Sequence, residues 1–223
     1  MPPLVTLIIP VLRDADAVRT LLPQVPATPD VQVIVVDGGD DSRLESVVAT
    51  HSPTRLRRVA AGRAHQMNAG AAEADGEWLL FLHADSTLPP GWLPALADLD
   101  GDAVGGWFRF ALDDAAWQAR VIERLVAWRV RLLRLPYGDQ GLLVRRRVFQ
   151  LLGGFRELPL LEDVEFVRRL IRTGRVVELP LALGTSSRRW RRDGWYRRSA
   201  KNAAIVLLYF AGVSPARLAR WYS

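Results

Sequence analysis

Acidic side chains follow two apolar runs that have the composition of buried strands. Asp37 follows the first run, at residues 31–36, and Asp85 follows the second, at residues 78–82. In open α/β sheets, ligands bind outside the carboxyl ends of the strands, so both carboxylates are well placed for chemistry. A purely structural interpretation is also open, in which His83 and Asp85 begin a turn and Asp85 caps the helix after Pro90.

A second acidic feature is the pair Glu162 and Asp163, at the predicted start of a helix that runs to about residue 173. Paired acids in a first helical turn usually do no more than complement the helix dipole. Here they follow a loop rich in glycine and proline, in a chain that also offers an anion-binding surface. We therefore treat them as candidate catalytic residues as well as caps.

The anion-binding surface is predicted where a loop enters an alanine-rich helix. Arg63, Gln66 and Asn68 cluster at the start of that helix, where free backbone N–H groups already favour anions. The alternative is an ordinary surface helix whose polar residues face water. A further basic segment, at residues 188–192 with 197–198, could meet a nucleotide diphosphate, anionic lipid headgroups or water.

The elements that must position these residues alternate between strand and helix. Apolar strands are predicted at residues 4–9, closed by Pro10, and at 31–36 and 56–59, with helices ending near residues 24 and 50. This β-α-β-α-β order predicts a Rossmann-like parallel sheet. Gly38 and Gly39 follow a strand, but the G-x-G-x-x-G spacing is absent, which excludes a nicotinamide or flavin site of that type.

The second half of the chain changes character. Residues 103–112 alternate in the manner of a more exposed, antiparallel strand. Residues 117–133 form a long amphipathic helix on which Val121, Leu125, Trp128 and Leu132 keep one face apolar. A turn-rich loop and a short strand at residues 142–145 follow, before the segment that carries the acidic pair.

Composition limits the other options. The chain of 223 residues is long enough for one large domain, and it contains no cysteine, which excludes disulfides, zinc-thiolate sites and cysteine nucleophiles. The net charge of +6 comes from widely spread arginines and one lysine, an arrangement that argues against a nucleic-acid groove. The N-terminus shows no secretory signal, and the longest apolar run, residues 203–213, falls short of the roughly 20 residues that span a membrane.

Several short motifs occur together and in order. They are Ile-Ile-Pro at 8–10, Val-Val-Asp-Gly-Gly at 35–39, Gly-Arg-Ala-His-Gln-Met-Asn at 62–68, His-Ala-Asp at 83–85, Gly-Asp-Gln at 138–140, Gly-Gly-Phe at 153–155, Leu-Glu-Asp at 161–163 and Arg-Arg-Trp at 188–190. The set resembles the family 2 glycosyltransferases of GT-A fold. More narrowly, it resembles a short bacterial branch with G-R-A-x-Q-M-N, H-A-D and G-D-Q patterns, linked by name to arsenosugar biosynthesis.

The resemblance covers residue 4 to about residue 195 and implies a fold and a domain division. The fold would be α/β, with a mainly parallel central sheet, helices on both faces and a small antiparallel sheet on the acceptor side. Residues 1–195 would form the GT-A domain, in which residues 1–100 bind the nucleotide sugar and residues 101–195 supply the acceptor side and the catalytic base. Residues 196–223 would be a C-terminal helical segment.

The resemblance also implies roles on the donor side, for a sugar carried on UDP or GDP. Asp37 would accept a hydrogen bond from the nucleotide base, and Pro10 and Asp14 would line the base and ribose. Asp85 would hold Mg²⁺ or Mn²⁺ against the diphosphate. The family has Asp-x-Asp at this point, whereas this chain has His83 before Asp85, and it has Arg-Asp at 13–14 where an Asn-Glu pair is common. The remaining expected donor-binding residues are Arg63, Gln66, Asn68, Arg189 and Trp190.

On the acceptor side, the resemblance implies a single displacement that inverts the anomeric centre. Asp163 would be the base that removes the proton from the acceptor hydroxyl. Glu162 would be the alternative base, or would orient Asp163. Asp139 and Gln140 would lie beside the acceptor.

Partners and location are predicted less directly. The acceptor is an unknown hydroxyl compound, with a lipid-linked one among the options, and no nucleic acid is expected. We expect a cytoplasmic protein in which residues 203–213 contact the inner face of the membrane without crossing it. The alternative is that these residues form a helix packed on the domain, or a homodimer contact. The competing function is a catalytically silent protein that binds a nucleotide sugar or an anionic lipid. A nucleotidyltransferase is a third option, but it would normally show a loop rich in glycine and lysine after the first strand.

Overall fold

The computed structural model describes residues 2–51, 53–99 and 101–222. Its centre is a sheet with the strand order β3-β2-β1-β4-β7-β6-β8-β5. The strands are β1 Val5–Val11, β2 Val31–Asp37, β3 Thr54–Arg58, β4 Trp78–Phe81, β5 Ser86–Thr87, β6 Ala103–Leu112, β7 Leu142–Arg145 and β8 Arg175–Thr185. The predicted parallel half is confirmed, because β1 pairs in parallel with β2 and β4, and β2 with β3. Antiparallel pairing begins at β7.

Helices cover both faces of this sheet. They are α1 Ala15–Leu21, α2 Arg43–Ala49, α3 Arg63–Ala72, α4 Trp92–Ala97, α5 Trp117–Leu133, α6 Arg146–Leu151, α7 Glu162–Leu170, α8 Arg188–Asp193, α9 Trp195–Phe210 and α10 Pro215–Tyr222. Buried side chains of α1, α2 and α4 belong to one core cluster. Buried side chains of α3, α6 and α7 belong to a second.

The sequence of β1 explains why the sheet is buried on both sides. Successive side chains of a strand point to opposite faces. Leu7 and Ile9 accordingly pack into the first core cluster, whereas Ile8 packs into the second, and all three are fully buried. The one buried polar side chain of the strand, Thr6, donates a hydrogen bond to Gln32 Oε1 at 2.6 Å. A strand that is apolar on both faces is typical of a parallel sheet with helices on both sides. The strand runs to Val11 and therefore includes Pro10, which was predicted to end it.

Strand β6 departs from the prediction. It was expected to be the more exposed strand, yet Trp107, Phe108 and Phe110 are buried and only Arg109 is exposed. It has a partner on each edge, antiparallel on the β7 side and parallel on the β8 side. Successive side chains of this strand therefore enter two different buried environments, since Trp107 and Phe108 belong to different core clusters.

Helix α5 has the predicted bounds, but its apolar face does not pack on the domain. Leu125, Trp128 and Leu132 are between 58 and 67% exposed. The buried face is a different one, formed by Ala119, Ile122 and Val130. Two apolar stripes share this helix, and the sequence period alone does not tell which of them meets the core.

The C-terminal helices α9 and α10 pack on the domain. Ile205, Val206 and Leu218 are buried against Leu161 and Val164, which lie at the start of α7. This confirms the alternative in which residues 203–213 form a packed helix. Within the described ranges, no helix is both long and apolar enough to cross a membrane.

Candidate active site

A cavity of about 290 Å³ opens beside the carboxyl end of β4. Residues from the start of α3, the turn after β4, the loop before β7 and the start of α7 line it, together with the end of β8 and helices α8, α9 and α10. Six of the predicted site residues in the first four of these segments line it, namely Arg63, His83, Asp85, Asp139, Glu162 and Asp163. Arg189 and Trp190, from α8, complete the set of predicted residues at its wall.

Asp85 presents an available carboxylate to this cavity. Its side chain is 15% exposed and makes no hydrogen bond to any residue that the structure describes. The nearest charged group is Arg188, whose Nη2 lies 3.8 Å from Oδ2. The backbone, by contrast, is fixed, because the Asp85 carbonyl accepts a hydrogen bond from Ser186 N–H at 3.2 Å. The carboxylate is held in position while its oxygens remain open to a ligand.

Arg188 connects Asp85 to Asp14. The Arg188 guanidinium donates a hydrogen bond to Asp14 Oδ2 at 2.9 Å, and Asp14 Oδ1 accepts one from Ala17 N–H as the cap of α1. Asp14 therefore does not line the cavity itself but reaches its edge through an exposed arginine. Pro10 lines a small pocket next to the cavity, together with Arg63, His83 and Asp163.

Arg63 is the centre of an ionic network whose acids are buried and whose arginine is 34% exposed. Its Nη1 lies 3.0 Å from Glu162 Oε1 and 3.8 Å from Asp163 Oδ2, and its Nη2 is hydrogen-bonded to His83 Nε2. Burial works to lower the pKa of Arg63, but the neighbouring acids, Glu162 first among them, keep it above its ordinary value. Gly138 leaves room for this guanidinium group, because a Cβ at residue 138 would lie 2.1 Å from Arg63 Nη2 and would displace the arginine.

His83 is neutral in this arrangement. Burial lowers its pKa well below the ordinary value, and the positive charges of Arg63 and Arg189 lower it further. A neutral imidazole can accept the hydrogen bond that Arg63 offers to Nε2. The residue that replaces the first acid of the family's Asp-x-Asp therefore adds no negative charge beside Asp85.

The two acids at the start of α7 are held differently. Asp163 Oδ2 accepts a hydrogen bond from Gly138 N–H at 2.6 Å, and Oδ1 accepts one from Val164 N–H at 2.8 Å. Glu162 is 4% exposed, and burial raises the pKa of its carboxyl group. Leu161, just before the pair, has a φ of 67°, a left-handed conformation that is costly for a residue with a side chain. The turn into α7 is thus held by the surrounding packing.

Asp139 lines the cavity beside these acids. Burial raises the pKa of its carboxyl group to about 6; the nearby Arg129 opposes this, and the negative charge of Asp163 adds to it. Its Oδ1 is buried and has no hydrogen-bond partner within the described chain. A carboxyl group in this state can be protonated near neutral pH and can donate a hydrogen bond to a ligand.

Four predicted site residues are occupied by internal hydrogen bonds. Asp37 accepts from the N–H groups of Gly39 and Asp41, at 2.8 and 2.9 Å, and is 1% exposed. Gln66 donates to the carbonyl oxygens of Val11 and Val36, both at 2.8 Å, and so joins the ends of β1 and β2. These contacts shape the loop at residues 37–41.

Asn68 and Gln140 act in the same internal way. Asn68 exchanges two hydrogen bonds with the backbone of Phe155, at 2.8 and 2.9 Å, which fixes the glycine loop before α7. Gln140 donates to the carbonyl oxygen of Phe108 at 3.1 Å and accepts from Arg129 at 3.2 Å. Neither side chain lines the cavity.

Helix α8 carries Arg189 and Trp190 and is held to the loop after β6 by an ion pair. Asp114 pairs with Arg191 through two hydrogen bonds, at 2.5 and 2.9 Å, and this pairing holds the pKa of Asp114 far below its usual range. Trp190 is 7% exposed and packs near Phe110, so only part of its ring faces the cavity. Arg189 is exposed, and no described residue pairs with its guanidinium.

The C-terminal helices form part of the cavity wall beside the start of α7, a contribution that the sequence did not reveal. Arg198, Asn202, Ile205, Val206 and Tyr222 all line the cavity. The Tyr222 hydroxyl group accepts from Arg198 and donates to Asn202, at 3.0 and 3.2 Å. The apolar run around residue 205 was the available signal, but it fitted a membrane contact equally well.

The acid residues fit a divalent cation only in partnership with a substrate. Among the described residues, no group of three or more histidines and acids could hold a metal ion alone. Magnesium and manganese ions are often bound by one or two carboxylates together with substrate phosphates and water. The open carboxylate of Asp85 provides one such ligand, with the unpaired Arg189 on the same cavity.

The family is decided by a comparison with family models. The model described as glycosyl transferase family 2 matches residues 6–136, more than half of the chain. The chain belongs to glycosyl transferase family 2. The match includes β1, α3 and Asp85 but ends before Asp139 and the α7 acids. No curated protein sequence matches the chain.

Solved structures of two other proteins are similar in fold to this glycosyltransferase family member. Mannosyltransferase PcManGT from Pyrobaculum calidifontis, in complex with GDP-Man and Mn²⁺, is 20% identical, with a TM-score of 0.60 over 82% of this chain and 57% of that one. S. aureus TarS 1-349 with UDP-GlcNAc is 18% identical, with a TM-score of 0.62 over 82% and 58%. TarS 1-349 itself is 16% identical, with a TM-score of 0.64 over 96% and 68%. The chain thus spans less than three fifths of the first two, and the predicted GT-A fold is confirmed.

Proposed function

We propose that the protein is an inverting glycosyltransferase that moves a sugar from a UDP or GDP sugar to an acceptor hydroxyl group, with Mg²⁺ or Mn²⁺. The observation that carries this proposal is the meeting of Asp85, Arg189 and Asp163 at one cavity. A nucleotide-binding protein without activity needs the first two. Binding alone needs no acceptor base, so a carboxylate such as Asp163, held in place by Gly138 N–H, supports a transfer reaction.

The donor would bind with its diphosphate at Asp85 and α8. Mg²⁺ or Mn²⁺, when bound by Asp85 and the phosphate oxygens, would stabilise the negative charge of the leaving nucleotide. Arg188 and Arg189 would turn their guanidinium groups toward the diphosphate oxygens, since the planar guanidinium group can bind two phosphate oxygens at once. Asp14 would then exchange its contact with Arg188 for one with the ribose, and Asp37, with the loop it supports, would meet the base.

Asp163 would carry the proton transfer. As the acceptor oxygen attacks the anomeric carbon, its proton passes to Asp163, and the bond from that carbon to the diphosphate oxygen breaks. One displacement of this kind inverts the anomeric configuration and needs no covalent sugar on the protein. The neighbouring Glu162 is paired with Arg63 and would help to position Asp163 instead of acting as the base itself.

Arg63 and Asp139 suit the acceptor side. Arg63 would hold the α7 acids in their observed arrangement, and Asp139, whose side chain lines the cavity, would bind an acceptor hydroxyl group. The wall beyond is partly apolar, with Ile205, Val206 and Trp190. This favours a hydroxyl group attached to an apolar body over a free sugar. A hexose as the transferred group, the narrower branch linked to arsenosugar biosynthesis and a cytoplasmic location remain predictions from the sequence resemblance.

The test is the melting temperature of the full chain with UDP, GDP, ADP and CDP, each in Mn²⁺ and in EDTA. A nucleotide at 100 times its dissociation constant stabilises a protein by about 2.7 kcal/mol, which raises the melting temperature by several degrees. We expect UDP or GDP to do this in Mn²⁺ only. An equal response in EDTA, or no response to any nucleotide, would overturn the proposal. Donor hydrolysis without acceptor would then separate an enzyme from a silent binding protein.

A further inference from the structure

Helix α5 carries a continuous apolar surface that faces solvent. It is formed by Trp117, Val121, Leu125, Trp128 and Leu132, and we call it the α5 stripe. These residues follow each other at intervals of three or four, which places them on one side of a helix. Four of them are 58–67% exposed, and Val121 is half-buried.

The stripe is not a consequence of a loosely attached helix. The other side of α5 is packed, since Ala119 is fully buried and Ile122 and Val130 are 3 and 4% exposed. Single exposed apolar residues are common on protein surfaces, but a contiguous patch with large aromatics usually marks an interaction site. The patch also continues onto α9, because the Trp117 and Tyr196 rings lie 6.3 Å apart and Tyr196 is 51% exposed.

Arginines follow one edge of the stripe. Arg120, Arg124 and Arg131 are exposed on the adjacent side of the helix. Arg120 pairs with Glu123 at 2.8 Å, whereas Arg124 and Arg131 pair with no acid in the described chain. Both also line a groove of about 620 Å³ between α5 and the sheet, which Arg109 and Arg134 enter as well. The stripe is therefore bordered by basic side chains that remain available to anions.

The positive charge beside the stripe favours a lipid bilayer over a second copy of the chain as its binding partner. In a two-fold dimer the stripe would meet a second stripe, which is apolar and offers no anionic partner to Arg124 or Arg131. The inner surface of a bilayer offers both a hydrocarbon boundary for tryptophan and leucine and anionic headgroups for arginine. Tryptophan in particular favours the interface between hydrocarbon and water.

We propose that the α5 stripe binds the surface of an anionic lipid bilayer, with α5 lying in the plane of the membrane and its arginine edge among the headgroup phosphates. With 17 residues, the helix is about 25 Å long, too short to cross a bilayer but long enough to lie on it. The contact is independent of the C-terminal run at residues 203–213, where Ile205 and Val206 are buried in the cavity wall.

If the proposed function is correct, the position of α5 relative to the cavity explains how membrane binding would serve the reaction. Beyond the end of α5, Leu135 packs with Leu161 and Ile205 at the cavity. Tyr137 lines the cavity and lies under Arg129 of α5, whose guanidinium carbon is 3.4 Å from the ring centroid. A bilayer on the stripe would therefore lie near the acceptor wall and would present a membrane-borne hydroxyl group to it.

The experiment is co-sedimentation of the full chain with vesicles of phosphatidylcholine alone or mixed with phosphatidylglycerol, at low and high salt. The test variant is Leu125→Ser with Trp128→Ser. The matched control is Leu207→Ser with Trp221→Ser, which removes two exposed apolar residues of the C-terminal helices. We expect the wild type and the control to bind anionic vesicles, and the stripe variant to bind at least about tenfold more weakly.

The arginine edge is tested separately with Arg124→Gln and Arg131→Gln. Each basic residue near an anionic surface contributes about a fivefold change in binding, so the double variant should lose most of its preference for phosphatidylglycerol. Absence of wild-type binding at low salt, or loss in the control rather than in the stripe variant, would overturn the proposal. So would a stable dimer in solution that only the stripe variant converts to a monomer. Donor hydrolysis in vesicle-free solution should be the same in the stripe variant as in the wild type, so failure of this inference leaves the proposed function intact.

Discussion

The carboxylates of the cavity are held in two different ways. On the β4 side, Asp85 has a fixed backbone and free oxygens, and its nearest cation, Arg188, belongs to an exposed side chain at 3.8 Å. On the α7 side, Asp163 has both oxygens hydrogen-bonded to backbone N–H groups, at 2.6 and 2.8 Å. The Asp85 carboxylate is open to a ligand and the Asp163 carboxylate is fixed by hydrogen bonds, although both line the same cavity of about 290 Å³.

The difference teaches which ligand each side suits. A metal ion bound mainly by a substrate's phosphates needs a free carboxylate that the ion can approach when the substrate arrives. A general base instead needs a fixed direction toward one proton, because proton transfer depends on geometry first. The contrast therefore supports the proposal in which the donor binds at the open side and the proton is transferred at the fixed side.

The largest expected effect comes from the fixed side. Asp163→Asn keeps the size of the side chain but removes its basicity, so turnover should fall by roughly 10²–10⁴ while donor affinity changes little. Steady-state transfer to a saturating acceptor measures the first quantity, and calorimetric titration of the donor measures the second. Glu162→Gln is the matched variant, because this neighbouring acid contacts Arg63 instead of Gly138 N–H. If Glu162→Gln is inactive and Asp163→Asn is active, the two roles are exchanged.

Asp139 gives an intermediate effect, on stability. Its folded-state pKa of about 6 lies above the ordinary value of 3.8, so the folded state binds more protons than the unfolded state between about pH 4 and 6. Stability from this group is therefore present below pH 4 and is lost as the pH rises through 6. Asp139→Asn should be more stable than the wild type at pH 7, by about 3 kcal/mol, and should lose this advantage toward pH 4. Urea denaturation across this range tests it; an advantage that does not vary with pH would contradict the raised pKa.

The smallest effect concerns the open side without a donor. Arg188 is bound to Asp14 and lies close to Asp85, where it competes with a cation. Arg188→Gln should therefore strengthen binding of Mn²⁺ alone, by no more than about fivefold, since exposed ion pairs are weak. Electron paramagnetic resonance of free Mn²⁺ measures this. Arg192→Gln is the control, because Arg192 pairs with Asp193 away from the cavity. Equal affinities in the two variants would place Arg188 outside the cation site.

The sequence predicted the parts of the molecule that local pattern determines. The buried strands around residues 5–11, 31–37 and 78–81 are mainly apolar, with only Thr6 and Gln32 as interior polar residues, and this pattern is typical of a covered sheet. The polar residues at their ends were therefore readily identified. The start of α7 was equally clear from Glu162 and Asp163. The meeting of Asp163 with Asp85 at one site was implied by the family resemblance, since α7 follows β7, which is antiparallel to its neighbours.

The parts that it did not predict depend on contacts between distant segments. Gln66 and Asn68 have the polarity of ligand-binding residues, but their partners are backbone groups at Val11, Val36 and Phe155. Nothing in their own neighbourhood shows this. The same holds for residues 203–213, whose hydrophobicity suited both a membrane and the wall of the cavity.

The measurement that tests the account most directly is calorimetric titration of UDP and GDP, with and without Mn²⁺, into the wild type, Asp85→Ala and Asp163→Asn. We predict that Mn²⁺ strengthens nucleotide binding in the wild type and in Asp163→Asn to the same extent, and that this gain is lost in Asp85→Ala. Melting temperatures of the three proteins in the absence of nucleotide show that each is folded. An Mn²⁺-dependent gain that survives in Asp85→Ala, or is lost in Asp163→Asn, would contradict the division between an open and a fixed side.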